Sequence, residues 1–348
     1  MMNALSADTL ALIFALIMGL SLFVYAILDG YDLGVGILSF FLSEEEKEPA
    51  IESIGPFWDA NETWLVLGVG VLLVAFPKAH GVILGHLYLP VSLMLLGLIL
   101  RGVSYELHKK VPKEQKHVWT AMFAFGSLVT AASQGFMLGL YLTGFRHDNL
   151  SLFFSVLTSL SLMLAYVGMG ASWLLMRSPL EHFAKILKLA RINLFLFAGS
   201  VLLVAIAKPL IVQGTLDIVQ GPEQLLALAP FPLLTCFFMV LHGAALYSKN
   251  FHESGFVWLP LVLLIGVMGL LSHGIILNLF PYVIPGQLSL KNAMASPESL
   301  VIILRGILIV LPLQIIYTIV IYRIFHGRAK LTRVLSSPDI YPEKFPGM

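Results

Sequence analysis

Runs of about 20 mostly apolar residues, long enough to cross a bilayer core as helices rising 1.5 Å per residue, recur along the whole chain. Nine are legible: roughly Thr9 to Leu28, Ile54 to Phe76, Gly81 to Leu100, Val118 to Thr143, Ser151 to Met176, Ile192 to Val212, Leu225 to Tyr247, Phe256 to Phe280 and Leu300 to Phe325. The pattern predicts an all-α polytopic membrane protein. Helices one to four (about 9–143) and five to eight (about 151–280) have similar lengths, which suits two four-helix bundles. A peripheral ninth helix (about 300–325) and a tail (326–348) remain. The longest polar connections, Ser43 to Ser53, Lys109 to His117 and Gln287 to Ser299, are too short to bury a core, so residues 1–348 read as one integral membrane domain. The first run reads as a retained helix and not a signal peptide: it lacks a basic leading segment and carries Asp8 in its place.

Composition removes a soluble alternative. Hydrophobic residues make up 58% of 348 and charged residues 12%, with mean hydropathy +0.89, where soluble domains carry about 25% charged residues. Sixteen of the 21 Lys and Arg fall in the tail and the connections after odd-numbered helices. Basic loops stay inside, so the amino terminus is expected outside and the carboxyl terminus in the cytoplasm. A net charge of +1, with the basic loops explained by topology, points away from nucleic acid, and the single Cys236 excludes an intrachain disulfide, zinc ribbon or iron–sulfur site.

Against this apolar background three segments carry charge. Asp29 and Asp32 close the first helix, Trp58-Asp59-Ala60-Asn61-Glu62 opens the second, and Arg101 with Glu106 closes the third. An ionisable group inside a bilayer is costly unless paired, hydrated or used, so such a cluster is a candidate functional site. Asp29 and Asp32 share one helical face beside Gly30 and Gly34; carboxylates at a helix end that simply meet water are the plainer alternative. Pro56 suits a first helical turn, which would place Asp59 about 7 Å inside the helix and on one face with Glu62. A carboxylate there can take and give a proton, or merely offset the helix dipole. Arg101 keeps its charge and needs an anion; Asp32, Asp59 and Glu106 are candidates, and a lipid headgroup is the alternative. Gly30/Gly34, Gly81/Gly85 and Gly135/Gly139 have the four-residue spacing of close helix packing.

These segments resemble the second subunit of the cytochrome bd type quinol oxidases. The resemblance rests on Asp29-Gly30-Tyr31-Asp32-Leu33-Gly34-Val35-Gly36, on Pro56-Phe57-Trp58-Asp59-Ala60-Asn61-Glu62-Thr63-Trp64-Leu65 and on Arg101-Gly102-Val103-Ser104-Tyr105-Glu106. Tyr31 and Ala60 depart from the Phe and Gly usual in that family. The resemblance implies a subunit of a quinol:oxygen oxidoreductase in the bacterial inner membrane, reducing dioxygen to water with cytoplasmic protons. It places haem b and haem d on a partner, the haem-bearing subunit I, and allows a bound quinone and a small single-helix accessory subunit. It assigns Asp59, Glu62, Asp29 and Asp32 to a proton pathway, with Trp58, Asn61, Arg101 and Glu106 in support. No catalytic residue, metal ligand or quinone contact in this chain is assigned.

Two other classes share the charge cluster: a proton- or ion-coupled secondary transporter and a structural membrane scaffold. A transporter predicts broken helices and polar groups at the midplane, whereas here the charges crowd one end. His86, His242 and His273 lie one to a helix, without the pairing that clamps a porphyrin, and read as packing residues. The intramembrane methionines read as gap-fillers.

Overall fold

The computed structural model describes residues 6–178, 180–212, 229–248 and 256–325. Among the described residues nine helices are long and apolar enough to cross a membrane. They are α1 (Ala7–Leu38), α2 (Trp58–Ala75), α3 (Pro77–His108), α4 (Lys113–Leu142), α5 (Asn149–Arg177), α6 (Phe183–Ile211), α7 (Pro230–Tyr247), α8 (Leu259–Leu279) and α9 (Pro297–Ile324). Their starts carry local signals. The side chains of Ser6, Asp148 and Ser296 each accept a backbone N–H of the first turn, and Pro77 opens α3, where its missing N–H costs nothing.

Several helices outrun their apolar stretches. The first continues to Leu38, ten residues beyond the expected end, and the third spans Pro77–His108 where 81–100 was expected. Asp29, Asp32 and Arg101 therefore lie inside helices and do not close them. Apolarity stops at the first charge, but a helix satisfies its backbone internally and continues wherever neighbours cover the charge. The expected start of the seventh helix, Leu225, lies outside the described residues, as does the 326–348 tail.

The connection between α1 and α2 is also structured. It contains a short helix, Glu44–Glu52, started by a reciprocal Ser43/Glu46 capping box. The connection before α9 holds a small antiparallel hairpin, Tyr282–Ile284 with Leu288–Ser289, and a short helix Leu290–Ala293.

Helices α1–α4 pack together and α5–α8 pack together; α5 joins the two groups through α1 and α4, and α9 rests outside on α1 and α2. The central seam is a backbone contact. A Cβ at Gly34 would stand 1.8 Å from the Tyr166 carbonyl oxygen, and one at Gly170 2.5 Å from the Gly34 carbonyl carbon, so no side chain fits at either. Gly135 and Gly139 meet Ser159 and Ser155 of α5 in the same way. Gly81 and Gly85 do not: among the described residues nothing lies within 4 Å of a Cβ there, which corrects the packing role expected of them. Helix α9 leaves Leu308, Ile309, Leu313 and Ile316 exposed, as a peripheral membrane helix does.

Candidate proton-handling site

One end of the bundle carries Lys109, Lys110, Lys113, Lys116, Lys185 and Lys188. The buried charges lie just inside it. Asp29 and Asp32 stand nine and six residues before the end of α1, and Arg101 seven before the end of α3, hence about 9 to 14 Å inside those ends. Their exposures are 0%, 0% and 1%.

Arg101 is clasped from two sides. Its Nη2 lies 2.6 Å from Asp29 Oδ1 and donates a hydrogen bond to Glu62 Oε1 of α2. Glu62 is 26% exposed, so it links the buried pair to the surface of the chain. Asp29 Oδ2, Asp32 Oδ1, Arg101 Nε and Nη1 and Ser104 Oγ retain hydrogen-bonding capacity beyond these contacts.

Asp32 is held by Asn61, which is itself fully buried. Asn61 Nδ2 donates to Asp32 Oδ2 at 2.8 Å and also faces the Leu28 carbonyl at 3.2 Å and the Tyr31 hydroxyl at 3.1 Å. On its other side Asn61 Oδ1 accepts from Tyr322 of α9 at 3.2 Å, and the Tyr31 and Tyr322 hydroxyls are bonded to each other. A second polar chain crosses behind α1: Gln134 Nε2 donates to Tyr25 and Tyr166 donates to Gln134 Oε1, both at 2.7 Å.

The α1–α2 connection roofs this end. Ile51, Ile54 and Phe57 are buried, Trp173 Nε1 donates to Ser53 Oγ at 3.2 Å, and Tyr31 stacks on Trp173 with centroids 4.2 Å apart. The roof uses residues 53–57 as a turn, so α2 begins at Trp58, after Pro56 and not with it. Asp59 consequently lies in the first turn of α2 and is exposed, which corrects the expectation that it sits a turn or more inside. It still shares a helical face with Glu62, three residues on. Trp58 packs beside Tyr105, with centroids 5.7 Å apart, and against the bare backbone of Gly102.

The expected partners of Arg101 also change. Asp32 bonds Asn61, Asp59 is at the surface, and Glu106 faces Lys109 at 3.3 Å and Lys110 at 3.9 Å outside the cluster; the anions that meet Arg101 are Asp29 and Glu62. Arg101 turns toward the α1 face that carries Asp29, a rotation that spacing along one helix does not determine. Tyr322, Tyr25, Gln134 and Tyr166 were not singled out from the sequence. Tyr322 had a signal: Gln314, Thr318 and Tyr322 repeat every four residues on a mostly apolar helix.

The intramembrane histidines are occupied locally. His242 Nδ1 bonds the Pro260 carbonyl at 3.1 Å, His86 Nδ1 bonds the Val82 carbonyl at 2.9 Å, and His273 packs against Phe231.

The nine spanning helices among the described residues, around a buried acid–base cluster, define a polytopic membrane protein with an ionisable site inside its bundle. The chain belongs to the cytochrome bd terminal oxidase subunit II family, whose sequence model matches residues 10–325. It is 42% identical over 123 residues to a cytochrome bd ubiquinol oxidase subunit 2 of Bacillus subtilis (strain 168), covering 34% of this chain and 35% of the relative. It is 31% identical over 174 residues to the cytochrome bd-I ubiquinol oxidase subunit 2 of Escherichia coli (strain K12), covering 47% and 46%. The chain thus spans less than half the length of these curated relatives. A solved structure, that of bd oxidase from Geobacillus thermodenitrificans, shares the fold over 91% of this chain and 98% of its own, with a TM-score of 0.74 at 19% identity.

Proposed function

We propose that this chain is the haem-free second subunit of a bd-type terminal oxidase that oxidises quinol and reduces dioxygen to water, and that its buried cluster forms part of a proton route. The B. subtilis and E. coli relatives bear the description ubiquinol oxidase subunit 2. The observation that carries the proton reading is the makeup of the cluster: Asp29 and Glu62 meet the single guanidinium of Arg101, and Asp32, held by Asn61, lies within reach of its field. Arg101 makes an ionised carboxylate tolerable inside the bundle, and the surplus of acids gives the cluster a place to hold a proton. Asp59 and Glu62, on one face of α2, collect protons at the surface. The unsatisfied atoms of Asp29, Asp32, Arg101 and Ser104 offer bonding positions for a water-mediated path onward.

The intramembrane histidines His86, His242 and His273 sit on three separate helices, and none shows the paired spacing that would clamp a porphyrin. Haem b and haem d therefore belong, on this reading, to a subunit I partner; when bound there they supply the electron transfer to dioxygen. A bound quinone and a single-helix accessory subunit would be features of the complex. The Lys and Arg distribution supports an amino terminus outside a bacterial inner membrane and a cluster at the cytoplasmic end, the side from which protons would be drawn.

Purification of the tagged chain from its native membrane tests this reading. It should bring down a haem-bearing partner with the optical spectrum of reduced haem, and the chain expressed without that partner should bind no haem. Recovery of the chain free of any haem protein, or stoichiometric haem on the isolated chain, would contradict it.

A further inference from the structure

The outermost helix carries a polar stripe that points inward. Gln314 Nε2 donates to Thr63 Oγ1, Trp64 Nε1 donates to Thr318 Oγ1 at 3.1 Å, and Tyr322 reaches both α1 and α2. The first two contacts attach α9; the third does something different.

Donor accounting fixes the direction of every bond around Tyr322. Asn61 Nδ2 lies against the Leu28 carbonyl and the Asp32 carboxylate, groups that accept, so the amide nitrogen occupies that side and Oδ1 the other. Oδ1 has no hydrogen, so Tyr322 donates to it. The single hydroxyl hydrogen of Tyr322 is then committed, so Tyr31 donates to Tyr322. Side chains from three helices form a one-way chain, Tyr31 to Tyr322 to Asn61 to Asp32. Bonds in such a chain polarise one another in the same sense.

We infer that Tyr322 is a positioning residue for Asp32: by holding Asn61 Oδ1 it keeps the amide N–H aimed at Asp32 Oδ2, so the peripheral helix governs a carboxylate to which it is not bonded. This deepens the proton-route reading and rests on it. A rotated Asn61 would turn its carbonyl oxygen toward the carboxylate, which cannot donate to it while ionised. The charged and titratable groups around Asp32 are Asp29 on its own helix with Tyr25 beside it, Glu62 on α2, Arg101 on α3, and Tyr31 and Tyr322 of the chain, with Tyr166 of α5 beside Asp29 and Arg177 of α5 over Trp173.

The test is an infrared pH titration of the purified complex, following the carboxyl band that disappears in Asp32→Asn. Asp32→Glu, which moves the band while keeping the acid, assigns it if Asp32→Asn does not assemble. In Tyr322→Phe the midpoint should be displaced by about one pH unit, the size of one hydrogen bond to a charged group. Thr318→Ala, which loosens α9 one turn away without touching Asn61, should titrate as the wild type. A wild-type midpoint in Tyr322→Phe, an equal displacement in Thr318→Ala, or the lack of any band assignable to Asp32 overturns the inference. The titration needs no turnover, so its failure is distinguishable from failure of the proton route, which is read from oxygen consumption.

Discussion

Arg101 governs the energetics of the buried cluster because it cannot shed its charge. At 1% exposure it is tolerated only while Asp29 and Glu62 face it. Removing one member of such a pair leaves the other charged and uncompensated, so Arg101→Met should destabilise the protein by about 3–5 kcal/mol. A lower thermal midpoint and a lower yield of purified complex would show this. Glu106→Gln should change stability by no more than about 0.5 kcal/mol, since Glu106 and its two lysines are each about half exposed or more. Equal effects of the two substitutions would contradict the assignment. The charged residues were legible in the sequence because each stands out from an apolar run. Their pairing was not, because whether Arg101 meets Asp29 or Asp32 depends on the rotation of α1 and α3 about their axes.

Among the elements, the α1–α5 seam and the α1–α2 connection make separate demands. Gly34 touches the backbone of α5, so Gly34→Leu should force the two helix groups apart and lower the amount of assembled complex without changing turnover per haem. Gly81→Ala, with open space at its Cβ, is the matched control and should assemble normally. The connection is tied down by Glu46, which bonds Lys185 Nζ and the Ser43 backbone N–H. Burial works to raise the Glu46 pKa, but the Lys185 and Ser43 bonds outweigh it and the net shift is downward. A folded-state pKa below the unfolded one stabilises the fold above the ordinary Glu pKa of about 4.3, and that stability is lost as pH falls through the lowered folded value. Thermal midpoints of wild type and Glu46→Gln should therefore differ near neutral pH and converge at acid pH; a constant gap would contradict this. The Ser43–Glu46 spacing is the sequence signal for this short helix, inside a connection whose polar composition alone predicts a loop. The helix ends were less legible, since α1 and α3 continue past charges that only tertiary neighbours cover.

At the scale of the whole molecule, nine apolar runs gave the number of spans and the all-α class, because hydrocarbon thickness fixes helix length. The seating of α9 on α1 and α2 was not legible in run lengths; it follows from the Gln314, Thr318 and Tyr322 contacts. That seating, the roof over the lysine-rich end and the partly exposed Glu62 together leave Asp59 and Glu62 as the acidic face where the buried cluster comes to the surface. The central claim is that protons are taken up there. The most direct measurement is quinol-driven oxygen consumption with simultaneous proton uptake by the purified complex carrying Asp59→Asn, normalised to haem content. Asn keeps the shape and cannot carry the proton, so the rate should fall by about tenfold or more while haem content stays near wild type, and Asp59→Glu should recover part of it. A wild-type rate and wild-type proton uptake in Asp59→Asn would contradict the account and leave Asp59 as a residue that only offsets the α2 dipole.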